Sequence, residues 1–128
     1  MSKIKKKNKE RRIDMIYSIG QTVKLTKMSI HTIRFYEKKG LISPCRNSQN
    51  NRIFNDDDLS KLQMIKNFKM IGTPLEEIKR FFSLFEERNS KEKRLEFLLH
   101  EKNKIDEQIK SIQDGKEFLD SIIKECYM

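Results

Sequence analysis

Tryptophan is absent, and proline and glycine are scarce, with two and four copies in 128 residues. So few chain breakers argue against a long unstructured linker. No apolar run approaches the roughly 20 residues of a membrane-spanning helix, and no apolar stretch follows the basic N-terminus, as a secretory signal requires. A cytoplasmic protein with no membrane partner is expected. The two cysteines, Cys45 and Cys126, lie far apart; no disulfide framework follows from them, and reduced thiols are expected. Catalytic apparatus is lacking as well. There is no nucleophile–base pair, no glycine-rich phosphate loop and no cluster of metal-ligand residues, so neither an enzyme nor a metal or cofactor is expected.

What the chain does have is charge, unevenly spread. Residues 1–14 carry a net +5, residues 15–80 a net +6 and residues 81–128 a net −2, within a total of +9. A basic first half and a near-neutral second half suit a polyanion-binding head on a different kind of tail. Residues 1–16 have little to place in a core and read as a disordered tail, or as a basic arm adding phosphate contacts. Met15 is an alternative natural start.

From Tyr17 the punctuation becomes dense. Ser18 with Gln21 fits a capping box, so a helix opens near Ile19, with Ile19 and Val23 on one face and Leu25 closing it. A tight turn at Thr26–Lys27–Met28 leads to a second helix capped by Ser29, with Ile30 and Ile33 inward and a left-handed stop at Gly40 before Leu41. Two short helices across a three-residue turn form a helix-turn-helix over about 19–39. Pro44 and an Asn/Ser/Gln run then interrupt the chain, and residues 43–54 read as a small β-hairpin wing with Asn50 or Asn51 left-handed. Asn55 and three aspartates open a helix over 56–71 with a stripe of Leu59, Leu62, Ile65 and Phe68. After Gly72, the run Thr73-Pro74-Leu75-Glu76 supplies cap, proline and capping-box acid for a helix over 74–86, with Leu75, Ile78, Phe81, Phe82 and Phe85 on its inner face.

Residues 91–127 carry heptads. Position a holds Leu95, Lys102, Ile109, Lys116 and Ile123; position d holds Leu98, Ile105, Ile112, Leu119 and Cys126. That spacing predicts a coiled coil. So long a seam cannot be buried in so small a head, so it needs a partner, most simply a second copy joined through Leu95, Leu98, Ile105, Ile109, Ile112, Leu119 and Ile123. Gly115 is a local weak point. The fold class is mainly α: a winged helix-turn-helix head over 17–88, then the dimerisation helix.

In a helix-turn-helix the second helix enters the major groove of duplex DNA. Ser29, His31, Thr32 and Arg34 lie on its leading half, with Arg34 the best placed for bidentate guanine recognition. Lys27 and Tyr36 suit phosphates, Arg46 and Arg52 flank the wing tip, and Lys66 and Lys69 can support the same surface from the third helix. Each has a plainer reading: Thr32 as part of a cap, Tyr36 as core, any one lysine as a solvated charge. Cys45 beside Arg46 is a possible redox thiol or simply a small wing residue.

The stretch SIGQTVKLTKMSIHTIRFYEKKGLISP, residues 18–44, resembles the head of the MerR family of transcriptional regulators, whose signature is a Thr-Ile-Arg-aromatic-Tyr-Glu run followed by Gly-Leu. Asn50–Phe54 is similar to the family's Gly-Tyr-Arg-hydrophobic-Tyr wing, with Asn50 and Asn51 departing from Gly-Tyr. The resemblance covers residues 17–85 closely and the coiled coil in kind. It implies an antiparallel coiled-coil homodimer on a palindromic promoter with an overlong spacer. There the protein bends and untwists the DNA in response to an effector, so RNA polymerase engages through the shared promoter. It also implies DNA contacts at Arg34, Tyr36, Arg46 and Arg52. Metal-sensing members use cysteines around the coiled coil, which this sequence does not match. A large ligand domain is not expected from the residues at hand. The short C-terminus resembles an electrophile-sensing branch, but the cysteine usual in that branch's third helix is replaced here by Asn67, so the effector stays open. Rival readings are an architectural or excisionase-like DNA-binding protein, and a coiled-coil adaptor with a basic head.

Overall fold

The structure, a computed structural model, describes residues 15–127; the expected behaviour of residues 1–14 lies outside them. Packing divides the chain into one unit ending at Leu75 and a second beginning at Glu76. The helix that follows Pro74 lies in the second unit from Glu76 on.

In the first unit the order is β1 (Tyr17–Ser18), α1 (Ile19–Thr26), α2 (Ile30–Lys38), β2 (Cys45–Arg46), β3 (Arg52–Phe54) and α3 (Asp56–Met70). The caps fall where the side chains dictate. Ser18 Oγ accepts from the Gln21 N–H at 3.1 Å while Gln21 Oε1 accepts from the Ser18 N–H at 2.9 Å. Asn55 and Asp58 make the same reciprocal pair at the start of α3, at 2.8 and 3.0 Å. Each such cap is worth about 1 kcal/mol. At the end of α2, Gly40 takes φ 79° and the Leu41 N–H reaches back to the Tyr36 carbonyl at 3.0 Å, which buries Leu41 and Ile42. Gly72, at φ 86°, closes α3 in the same way, with Thr73 N–H on the Phe68 carbonyl at 2.9 Å.

The inner face of α1 corrects the sequence expectation. Thr22 and Thr26 are fully buried, Ile19 and Val23 only half so, and Leu25 is exposed. Both threonine hydroxyls donate to carbonyls one turn back, Ser18 at 2.8 Å and Thr22 at 2.7 Å. With its hydroxyl satisfied within the helix, each side chain can turn its methyl into the interior. Ile30, expected inward, is exposed at the first turn of α2, whereas Ile33 is buried. Met28, Tyr36, Phe54, Leu62, Ile65 and Phe68 add to this core; fully burying a large apolar side chain contributes roughly 1.5–3 kcal/mol.

The wing is more than a hairpin. Three strands pair antiparallel in the order β1-β3-β2, with Tyr17 opposite Phe54 and Arg46 opposite Arg52. The strand just before α1 therefore joins the sheet, which seats the wing beside the helix-turn-helix.

α4 (Leu75–Leu84) opens at the boundary, and the second unit holds it from Glu76 on, followed by α5 (Lys91–Cys126). Ile78, Phe81 and Leu84 are buried on α4, while Phe85, expected inside, is exposed. Phe81 packs edge-on to Phe85 at 5.2 Å and tilted against Phe97 of α5 at 5.0 Å. The Arg94 guanidinium lies over the Phe85 ring at 4.5 Å, so the exposed ring is covered by a cation. The 36-residue α5 runs unbroken through Gly115, about 54 Å at 1.5 Å per residue. Along it Leu95, Leu98, Ile109, Ile112, Leu119 and Ile123 are exposed in the single chain, and Ile105 is half-buried. Cys126 is exposed and carries a free thiol. Among the described residues no helix is long and apolar enough to cross a membrane.

Candidate nucleic-acid interface

The second helix of the helix-turn-helix presents two faces. Ile33 and Tyr36 turn inward and are buried; His31, Arg34, Phe35 and Lys38 are exposed. Ser29, the cap, accepts from the Thr32 N–H at 3.1 Å, and the two hydroxyls lie 2.9 Å apart, so both side chains are engaged in closing the helix start. Burial raises the pKa of Tyr36 above the ordinary phenol value, because the phenolate would be poorly solvated there. Of the expected contact residues on α2, Tyr36 is the one placed in the core. Phe35 was missed. It is exposed beside His31 and Arg34, its ring 5.8 Å from that of Tyr36 and 5.5 Å from the Lys39 ammonium. Helical periodicity carries the signal, because position 35 falls one turn beyond position 31 on the outer face.

The wing tip is built by asparagines. Asn47 Oδ1 accepts from the N–H groups of Gln49 and Asn51, both at 3.0 Å, and Asn50 takes the left-handed conformation at φ 63°. Asparagine tolerates that geometry better than most side chains. Arg46 donates from its terminal nitrogen to the Asn50 carbonyl at 2.9 Å, which braces its guanidinium across the tip. Arg52 donates through Nε to Glu37 Oε1 at 2.6 Å, with both side chains about a quarter exposed.

These elements enclose a cleft of about 310 Å³ lined by Ser18, Ile19, Arg34, Arg46, Asn50, Asn51 and Arg52. Three arginines from α2 and the two wing strands thus face one concavity, an arrangement suited to an anionic backbone. The other expected contacts lie outside its lining. Lys27 is the left-handed residue of the turn, at φ 58°, and is exposed. Lys66 donates to the Thr26 carbonyl at 3.2 Å and so completes the C-terminus of α1, where a cation is favourable. Lys69 and His31 are exposed. Cys45 is exposed with a free thiol and pairs across the sheet with Ile53. Among the described residues no group of three or more His, Cys, Asp or Glu comes together as a metal site.

Comparison with known proteins agrees with this geometry. A family profile described as "MerR HTH family regulatory protein" matches residues 17–84, and a second, "MerR, DNA binding", matches residues 59–122. The Multidrug-efflux transporter 1 regulator of Bacillus subtilis is 42% identical over 66 residues, which is 50% of this chain and 24% of that protein. Across three curated relatives the chain spans between 24% and 76% of their lengths. Among solved structures, HiNmlR, described as a MerR family regulator lacking the sensor domain and bound to promoter DNA, is similar with a TM-score of 0.68 at 30% identity, covering 83% of this chain and 80% of that one. A MerR family transcriptional regulator from Bacillus thuringiensis is similar with a TM-score of 0.66 at 34% identity, covering 87% and 96%. With one profile spanning the helix-turn-helix, the wing and the two helices after it, and a second extending far along α5, the chain belongs to the MerR family of helix-turn-helix regulatory proteins.

Proposed function

We propose that this chain is a sequence-specific DNA-binding transcription regulator that acts as a homodimer. The observation that carries the reading is the cleft to which the second helix of the helix-turn-helix and both wing strands contribute, through Arg34, Arg46 and Arg52. On this reading α2 enters the major groove with Arg34 at the base edges. Arg46 meets the adjacent backbone, and Lys27, His31, Lys66 and Lys69 extend the basic surface around them. The HiNmlR structure, with its promoter DNA, supports the same use of the head.

The apolar seam of α5 supports the dimer. Six large apolar side chains at heptad positions stand exposed in one chain, and a second copy running antiparallel covers them. Two heads at fixed separation then read a palindromic promoter. Distortion of the spacer between its elements connects binding to transcription, with RNA polymerase engaged through the DNA. The effector is an open part of the reading.

Immunoprecipitation of the protein on genomic DNA, followed by footprinting of the strongest site, tests this. A palindrome inside a promoter with a long spacer is expected. Scattered sites without a motif would overturn the regulator reading in favour of an architectural role, and loss of binding at modest salt in favour of an adaptor.

A further inference from the structure

The three arginines of the cleft are not electrostatically equivalent. Arg46 is braced by a neutral carbonyl, that of Asn50 at 2.9 Å, so its full charge remains available. Arg52 instead meets a carboxylate, with Nε 2.6 Å from Glu37 Oε1. At that range the two charges present themselves to a distant phosphate as a dipole rather than as a cation.

The position of Glu37 points the same way. It is the second-last residue of α2, where the helix dipole disfavours an acid, and it stands on the helix that supplies Arg34 to the cleft. An unpaired carboxylate there would oppose both the dipole and a polyanion. Paired with Arg52, it links α2 to β3 across a sequence separation of 15 residues. It therefore holds the wing at a set distance from the second helix.

We propose that Arg52 is a positioning residue rather than a phosphate ligand: with Glu37 it forms a charge-neutral strut between the wing and α2, and the cationic contacts of the cleft are Arg34 and Arg46. This rests on the DNA-binding reading for its consequences, while the strut is a property of the protein without DNA.

The test has two arms. In the first, the affinity of the full chain for a promoter duplex is followed against salt. Glu37→Gln keeps an oxygen that accepts from Arg52 but frees the guanidinium charge. The log–log salt slope is then expected to steepen by about 0.9, the value of one added phosphate contact. Arg52→Gln is expected to weaken binding with the slope unchanged; a slope shallower by about 0.9 would mean that Arg52 neutralises a phosphate in the native complex, and overturns the assignment. The exchange Glu37→Arg with Arg52→Glu is expected to restore native affinity and slope after either single reversal has weakened binding; an exchange no better than Arg52→Glu alone also overturns it. The second arm is a double-mutant cycle at the two positions, read by thermal unfolding without DNA. Measurable coupling is expected, and its absence rejects the strut even if DNA binding is intact. If the native chain fails to bind duplex DNA at all, the function assigned above fails, and the unfolding cycle still decides the strut.

Discussion

The Tyr17 hydroxyl donates to Asp56 Oδ1 at 2.8 Å, tying the strand that leads into α1 to the first turn of α3. The bond spans 39 residues and joins both ends of the segment that holds the helix-turn-helix and the wing. Tyr17→Phe removes it without changing the ring. A loss of about 1 kcal/mol is expected, a fall of several degrees in melting temperature for a unit of this size. DNA affinity at temperatures where the fold is intact should not change. Thermal unfolding followed by circular dichroism, with anisotropy on a promoter duplex, checks both halves.

Arg34 is exposed on α2 and lines the cleft. Arg34→Ala is expected to cost about 1–3 kcal/mol of affinity for the specific site and to relax preference at one base pair. Binding to random duplex should fall much less, and the melting temperature should hold. Competition binding against operator variants substituted base by base would show it; equal losses on specific and random DNA would make Arg34 a backbone contact.

Ile112 sits at a d position and is 71% exposed in the single chain. Ile112→Asp therefore leaves the chain's own packing intact but places a charge in the seam of a dimer. Sedimentation equilibrium should shift from twice the 15.4 kDa chain mass to the monomer value at the same concentration. A native chain that already sediments as a monomer at micromolar concentration would rule out the dimer.

Gly115 lies inside α5, and a Cβ added there meets nothing within 4 Å. Gly115→Ala is expected to stabilise the helix by about 1 kcal/mol through backbone entropy alone. The check is a higher melting temperature, with greater amide-exchange protection around residue 115.

Asp58 is buried at the start of α3, and desolvation raises its pKa, with Asp57 adding to the shift against the opposing Asn55 N–H and Lys61. The folded state thus holds the Asp58 proton more readily than the unfolded chain. The associated stability is complete below the ordinary carboxylate range and is lost as pH rises through the elevated folded pKa. Asp58→Asn does not titrate, so its stability relative to the native chain should increase from pH 3 to pH 7. Denaturant unfolding at both values measures this, and a difference that shrinks with pH contradicts it.

Much of the head was legible because its signals are local. Ser18–Gln21, Asn55–Asp58, Gly40 and Gly72 each act within a few residues of themselves, and the structure places helix boundaries within a residue or two of where they point. Reading the inward faces failed where hydrophobicity was taken as the guide. Thr22 and Thr26, rather than Ile19 and Val23, fill the inner face of α1, because a hydroxyl bonded to its own helix costs little to bury. Phe85 falls one residue past the last turn of α4, so the helical spacing that points Ile78 and Phe81 inward no longer governs it. Pairing of β1 with β3 had no local signature, since two residues show no alternation and their partners come 35 or more positions later.

The sequence by itself determined the elements, their stops, the heptad seam and the concentration of basic charge in the first half, because propensity, capping and periodicity operate over one or two turns. Only the tertiary structure decided that Arg34, Arg46 and Arg52 share a cleft while Lys66 turns to the Thr26 carbonyl. It alone joined Glu37 to Arg52. These are relations between residues many positions apart, set by how the sheet seats the wing beside the helices, and distance along the chain carries no record of them.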